Sequence, residues 1–216
     1  MRPFIRASLD RRRIPWTFLV LASVAAVLQP GWGNRDALLY DRAAIFHGEV
    51  WRIWTGHLVH FGWAHFAADV GLFLVLGRML EWQQGRRVRL FLAVTPLIIS
   101  SGLLLFAPAM QRYGGLSAVN LGLLVFLAAD GWQRNWLDWF WPSVLLVYAA
   151  EVAWEATLGH GTGGGLTRFD DPAARVATAA HLLGGLCGLA WSRLGRRGAS
   201  STSPAPTLHL APKQLP

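Results

Sequence analysis

Long stretches without a single Asp, Glu, Lys or Arg constrain this chain more than any other feature. They cover residues 14–33, 90–111, 113–129 and 176–192. Two further apolar stretches are lightly interrupted: 61–80 holds Asp69 and Arg78, and 139–158 holds Glu151 and Glu155. A helix that rises 1.5 Å per residue needs about 20 residues to cross the hydrocarbon core of a bilayer. Six stretches of that size use more than half of the 216 residues. The expected fold class is therefore all-α, a polytopic membrane protein with six transmembrane helices. Pro96 and Pro142 fall inside two stretches, which membrane helices tolerate when neighbours satisfy the freed carbonyls.

Composition agrees, with 53% hydrophobic and only 15% charged residues, where soluble domains carry about 25% charged. Such a chain has ample apolar surface to bury and is not disordered. The single Cys187 excludes an internal disulfide framework. A net charge of +8 would suggest nucleic-acid binding in a soluble protein, so the position of the charges decides its meaning. Six spans put both termini on one side. Arg35, Arg42, Arg52, Arg112, Arg168 and Arg175 then lie on the other, leaving fourteen of the 20 Lys and Arg with the termini. The bias marks the terminal side as cytoplasmic, and no nucleic acid is expected as a partner. Trp16, Trp82, Trp132, Trp136, Trp139, Trp141 and Trp191 fall at cytoplasmic ends of the stretches. Trp32, Trp51, Trp54, Trp63 and Trp154 fall at outer ends, as interfacial belts require.

Residues 1–13 are thus expected as a cytoplasmic N-terminus, 14–194 as the membrane domain and 195–216 as a disordered cytoplasmic tail. Arg11-Arg12-Arg13 before an apolar run also suits a cleaved signal peptide, but five further apolar segments and the charge parity favour a retained first helix. Gly163-Gly164-Gly165 lacks the Lys and Ser/Thr of a phosphate loop and reads as an outer loop.

Polar groups at membrane depth are costly and mark function. Here they are His57, His60, His65 and Asp69 near the second segment, Ser117 and Asn120 in the fourth, Glu151 and Glu155 in the fifth, and His181 in the sixth. Glu151 reads as a structural hydrogen-bonder, Glu155 as solvated near the outer interface and Cys187 as a packing residue. If Gly114-Gly115 ends an irregular segment, a helix from Ser117 to Asp130 spans about 21 Å, short of a core near 30 Å. Its N-terminus is sunk below the outer surface, where free N–H groups and the helix dipole favour negative charge. In the sixth segment, a helix starting near Pro172 puts His181 at a depth similar to that of Ser117. The face around it, Ala177, Thr178, Gly184, Gly185, Gly188 and Ser192, is made of small residues that admit close helix approach.

Serine and histidine at equal depth suit a nucleophile with its general base. The residues alone leave other readings open: a packing serine, a hydrogen-bonded core histidine, or a metal or haem ligand set drawn from His57, His60, His65 and His181. The five-residue spacing of His60 and His65 suits a single helix face poorly.

Four motifs, in order, resemble the rhomboid family of intramembrane serine proteases: Gly48-Glu49-Val50-Trp51-Arg52, the run from His60 to Asp69, Gly115-Leu116-Ser117-Ala118, and Ala180-His181-Leu182-Leu183-Gly184 with Gly188. The resemblance covers residues 48–191. Tyr40-Asp41-Arg42 and the run from Trp51 to His60 are most similar to the rhombosortase subgroup. The resemblance implies a dyad of Ser117 and His181, with His65 and the Ser117 N–H donating to an oxyanion, Asp69 orienting His65, Gly115 shaping the nucleophile turn, and Gly184 and Gly188 packing at the site. It implies no cofactor and no metal. The implied partners are the lipid bilayer and membrane-anchored protein substrates, cleaved near a C-terminal helix that begins with Gly-Gly. The chain departs from the family pattern in three places: Asp69 for asparagine, Ala118 for glycine, and Leu121 for a frequent aromatic. These departures motivate the alternative of a catalytically inactive relative that binds transmembrane helices. His60 is expected to line a water cavity, His57 to join the outer loop and its hydrogen bonds, and Arg52 to anchor that loop at the headgroups.

Overall fold

The computed structural model describes residues 14–29, 35–135, 137–157 and 177–197. The expected N-terminus 1–13, the Gly163-Gly164-Gly165 loop, the helix start near Pro172, Trp32, Trp136, and the tail from 198 lie outside the described residues, as do the side chains of Glu151 and Glu155.

The described chain is almost entirely helical. Helix α1 spans Trp16–Val27. A two-residue strand β1, Tyr40–Asp41, leads into the short helix α2, Arg42–Phe46, whose first turn is capped by Asp41 Oδ1 accepting the Ala44 N–H at 3.0 Å. Helix α3, Arg52–Thr55, and a 3₁₀ turn, Gly56–Leu58, complete the first loop. Helix α4 then runs 44 residues from Trp63 to Phe106. Strand β2, Arg112–Tyr113, pairs antiparallel with β1, setting Tyr40 opposite Tyr113. Helices α5, Ser117–Arg134, α6, Phe140–Thr157, and α7, Thr178–Arg197, follow.

The two expected segments 61–80 and 90–111 form two helices that meet end to end at a kink within α4. Gln84 breaks the helical pattern between them, with φ −139° and ψ 29°. Polar contacts hold this kink: Gln84 donates to Asp130 at 2.7 Å, and Arg87 donates to Gln84 Oε1 and to the Trp191 carbonyl. Helix α5 is also longer than expected. It has 18 residues, about 27 Å, because Arg134 pairs with Asp130 one turn back and extends the helix past it. Among the described helices, α4 is long and apolar enough to cross a membrane by itself. Trp16–Val27 and Phe140–Ala150 are shorter apolar helices.

Helix α1 is fixed to the first arm of α4 by Phe18, whose ring centroid lies 4.4 Å from that of Phe73 and which covers Gly77. Glu81 accepts from both the N–H and the hydroxyl of Thr17. The closest packing joins α5 to α7. A methyl group at Gly184 would sit 2.0 Å from the Ala118 carbonyl oxygen, and one at Gly188 would sit 2.1 Å from that of Gly122. The small-residue face thus brings two backbones into direct contact.

Outward faces remain apolar: Val20, Leu146 and Leu186 are each more than half exposed. Trp16, Trp51, Trp63, Trp82, Trp132, Trp139 and Trp154 are exposed as the belt pattern expects. Trp141 corrects that pattern, being buried against Gly131. Trp54 and Trp191 are half-buried and donate to the carbonyls of Ala93 and Arg87. Arg52 corrects a second expectation. Rather than facing headgroups it is 7% exposed. It donates to the Leu39 carbonyl at 2.8 Å, to that of Asp36, and to Glu49 at 2.7 Å, tying the first loop to itself.

Candidate active site

The site is built at the N-terminus of α5. Gly114 and Gly115 bring the chain in from β2, with Gly115 at φ +114°, a conformation that side chains rarely adopt. Its open side faces His65 and Asp69: a Cβ there would lie 2.8 Å from His65 Nε2 and 2.9 Å from Asp69 Oδ2. The Gly115 N–H donates to the Gly56 carbonyl at 3.3 Å, fastening the turn to the first loop. Ser117 is the first helical residue, where backbone N–H groups have no partner within the helix.

Helix α7 supplies the facing group. Its glycine contacts with α5 place His181 beside Ser117, with Nε2 to Oγ at 3.0 Å. Ser117 is half-buried and His181 is 6% exposed. Tyr148 of α6 donates to the His181 carbonyl at 2.8 Å, and Gly185 leaves room for its phenol. For the hydroxyl to donate its proton to Nε2, the imidazole carries its hydrogen on Nδ1.

Beneath Gly115 lies a buried cluster. Asp69 Oδ2 is 3.2 Å from His65 Nε2 and 3.3 Å from His60 Nε2. His65 Nδ1 accepts the Phe61 N–H at 3.3 Å, and His60 Nδ1 faces the Gln29 amide at 3.3 Å. Each ring therefore accepts at Nδ1 and turns its Nε2 side toward the shared carboxylate. Asn120 donates to the Asp69 backbone carbonyl at 2.8 Å, binding α5 to α4.

Two expectations change here. The spacing of His60 and His65 keeps them off one helix face, yet the rings meet with centroids 5.1 Å apart. Gly62, at φ +124°, turns the chain just before α4, so His60 approaches from the loop and not from the helix. His60 is fully buried and lines no water cavity. His57 sits in the first loop as expected, but its bonds run to α4, with Nε2 3.2 Å from the Pro96 carbonyl and 3.0 Å from Ser100 Oγ. Among the described residues, no group of three or more His, Cys, Asp or Glu is arranged to hold a metal ion.

Sequence reasoning passed over Gln29 and Tyr113. Tyr113 is 4% exposed and its hydroxyl donates to the Gly115 carbonyl at 3.3 Å. A lone aromatic just ahead of the glycines was its only signal.

A serine hydroxyl and an imidazole are in contact at a helix N-terminus, carried on helices with apolar outer faces, so the ring can accept the hydroxyl proton. Residues 47–198, well over half of the chain, match the Rhomboid domain. The chain belongs to the rhomboid family, whose members are generally intramembrane serine peptidases. Among curated proteins, none matches the sequence.

Proposed function

We propose that this protein is an active intramembrane serine protease in which Ser117 is the nucleophile and His181 the general base. The observation that carries the reading is the 3.0 Å contact between Ser117 Oγ and His181 Nε2. Oγ attacks the scissile carbonyl as its proton passes to Nε2. The tetrahedral oxyanion forms over the first turn of α5, where the Ser117 N–H and the helix dipole stabilise it. His65, which faces Asp69, lies against Gly115 two residues before Ser117. Collapse breaks the C–N bond, the imidazolium protonates the departing amine, and an acyl-enzyme remains. Water then attacks the ester with His181 again as base, releasing the acid and restoring Ser117.

The two arms of α4, 63–83 and 85–106, each have the length of one span. With α1, α5, α6 and α7 they make six. We place both termini in the cytoplasm, the protein in the cell (inner) membrane and the site open to the outer face. The substrates in this reading are membrane-anchored proteins cut in or beside a transmembrane segment. The rhombosortase-like motifs of the first loop point to C-terminal sorting helices that begin with Gly-Gly. Purified protein in liposomes, incubated with single-span reporters with and without a Gly-Gly helix junction, tests this. Ser117-dependent cleavage at the junction is expected. Intact reporters that co-purify equally with wild type and Ser117→Ala would instead establish a non-catalytic helix binder.

A further inference from the structure

We propose that Tyr113 is a positioning residue for the nucleophile turn, its hydroxyl holding the Gly115 carbonyl so that the following backbone N–H groups face the reacting carbonyl; this rests on the protease reading of Ser117. The peptide between Gly115 and Leu116 is trans, so its C=O and N–H point in opposite directions. Pinning the oxygen inward at 3.3 Å from Tyr113 Oη turns the Leu116 N–H outward. It also fixes the entry to α5, where Ser117 is the first helical residue. A flexible glycine at φ +114° does not hold that orientation by itself.

Tyr113 is itself held from the first loop. It pairs with Tyr40 across the β1–β2 bridge, with ring centroids 6.3 Å apart, and the His57 ring meets its edge at 5.2 Å. Gly56, whose carbonyl accepts the Gly115 N–H, packs so tightly on Tyr40 that a methyl group would lie 2.7 Å from the Tyr40 nitrogen. The first loop therefore reaches the nucleophile turn by two routes: Gly56 to the Gly115 N–H, and Tyr113 to the Gly115 carbonyl.

The test is the inactivation kinetics of the full-length protein with a fluorophosphonate, resolved into the limiting rate kinact and the half-saturation constant KI. Tyr113→Phe keeps the ring and removes the donor. The limiting rate should fall by about tenfold or more, with KI and the thermal midpoint close to wild type. Placing 4-aminophenylalanine at position 113 restores an N–H donor and should recover much of the rate, which also tests the role if the Phe variant folds poorly. Tyr40→Phe removes an equally buried hydroxyl on the other side of the bridge and should leave kinact unchanged. Wild-type kinact in Tyr113→Phe would overturn the inference, as would equal losses in both Phe variants or no recovery with the amino analogue. If the wild type itself shows no Ser117-dependent labelling, the protease reading fails and this inference fails with it. Labelling that depends on Ser117 but ignores Tyr113 defeats the inference alone.

Discussion

Gly184 of α7 presents a bare Cα to the carbonyl oxygen of Ala118 on α5, so close that a methyl group would sit 2.0 Å from that oxygen. This contact sets how near His181 comes to Ser117, since both pairs join the same two helices one turn apart or less. Gly184→Ala must push the helices apart, and overpacking of this kind costs about 3 kcal/mol. We expect a lower thermal midpoint in detergent, read by helical circular dichroism, together with slower Ser117 labelling. Gly71, with nothing within 4 Å of an added methyl group, is the control. Gly71→Ala should be neutral or stabilising by up to about 1 kcal/mol through helix propensity.

Asp69 receives two imidazole faces on one carboxylate oxygen. Asp69→Ala removes the carboxylate that both rings face and frees His65 beneath the turn. Labelling should slow by about tenfold or more. Asp69→Asn keeps an acceptor oxygen of the same shape, restores the residue usual in the family, and should retain most of the rate. Equal losses in the two variants would show that the negative charge matters and the acceptor geometry does not.

Arg52 spreads its guanidinium over Glu49 and the carbonyls of Asp36 and Leu39. A lysine offers a point charge in place of this fork and cannot span all three. Arg52→Lys should lower stability by about 2–3 kcal/mol and open residues 35–58 to limited proteolysis. Protease resistance equal to wild type would contradict the clamp.

Burial lowers the His57 pKa from 6.5 to about 4, against the smaller raising effect of its bond to the Pro96 carbonyl. The unfolded chain then binds more protons than the folded one between these values. Stability from the neutral imidazole is full above pH 6.5 and is lost as pH falls toward 4, by no more than about 3 kcal/mol. His57→Gln should show a flatter thermal midpoint across that window than wild type.

The missing charges made the helices legible, because a bilayer demands long apolar runs and little else. The approach of α7 to α5 was equally readable, since only a face of small residues lets backbones touch. The tight join at Gln84 was not, because the groups that hold it, Asp130 and the Trp191 carbonyl, are distant in the chain. The meeting of His60 with His65 was hidden by a spacing rule that holds within one helix, whereas Gly62 places them on different elements. Tyr113 gave least away. Its placement depends on a strand partner, Tyr40, that is distant in the chain and paired through two residues only.

The central claim is tested most directly by fluorophosphonate labelling of wild type, Ser117→Ala and His181→Ala, followed by mass mapping of the modified peptide. A nucleophile activated by the imidazole 3.0 Å away predicts labelling of the wild type on Ser117, none in Ser117→Ala, and loss by a factor of about 100 or more in His181→Ala. Labelling retained in both variants, or mapped to another residue, would contradict the dyad.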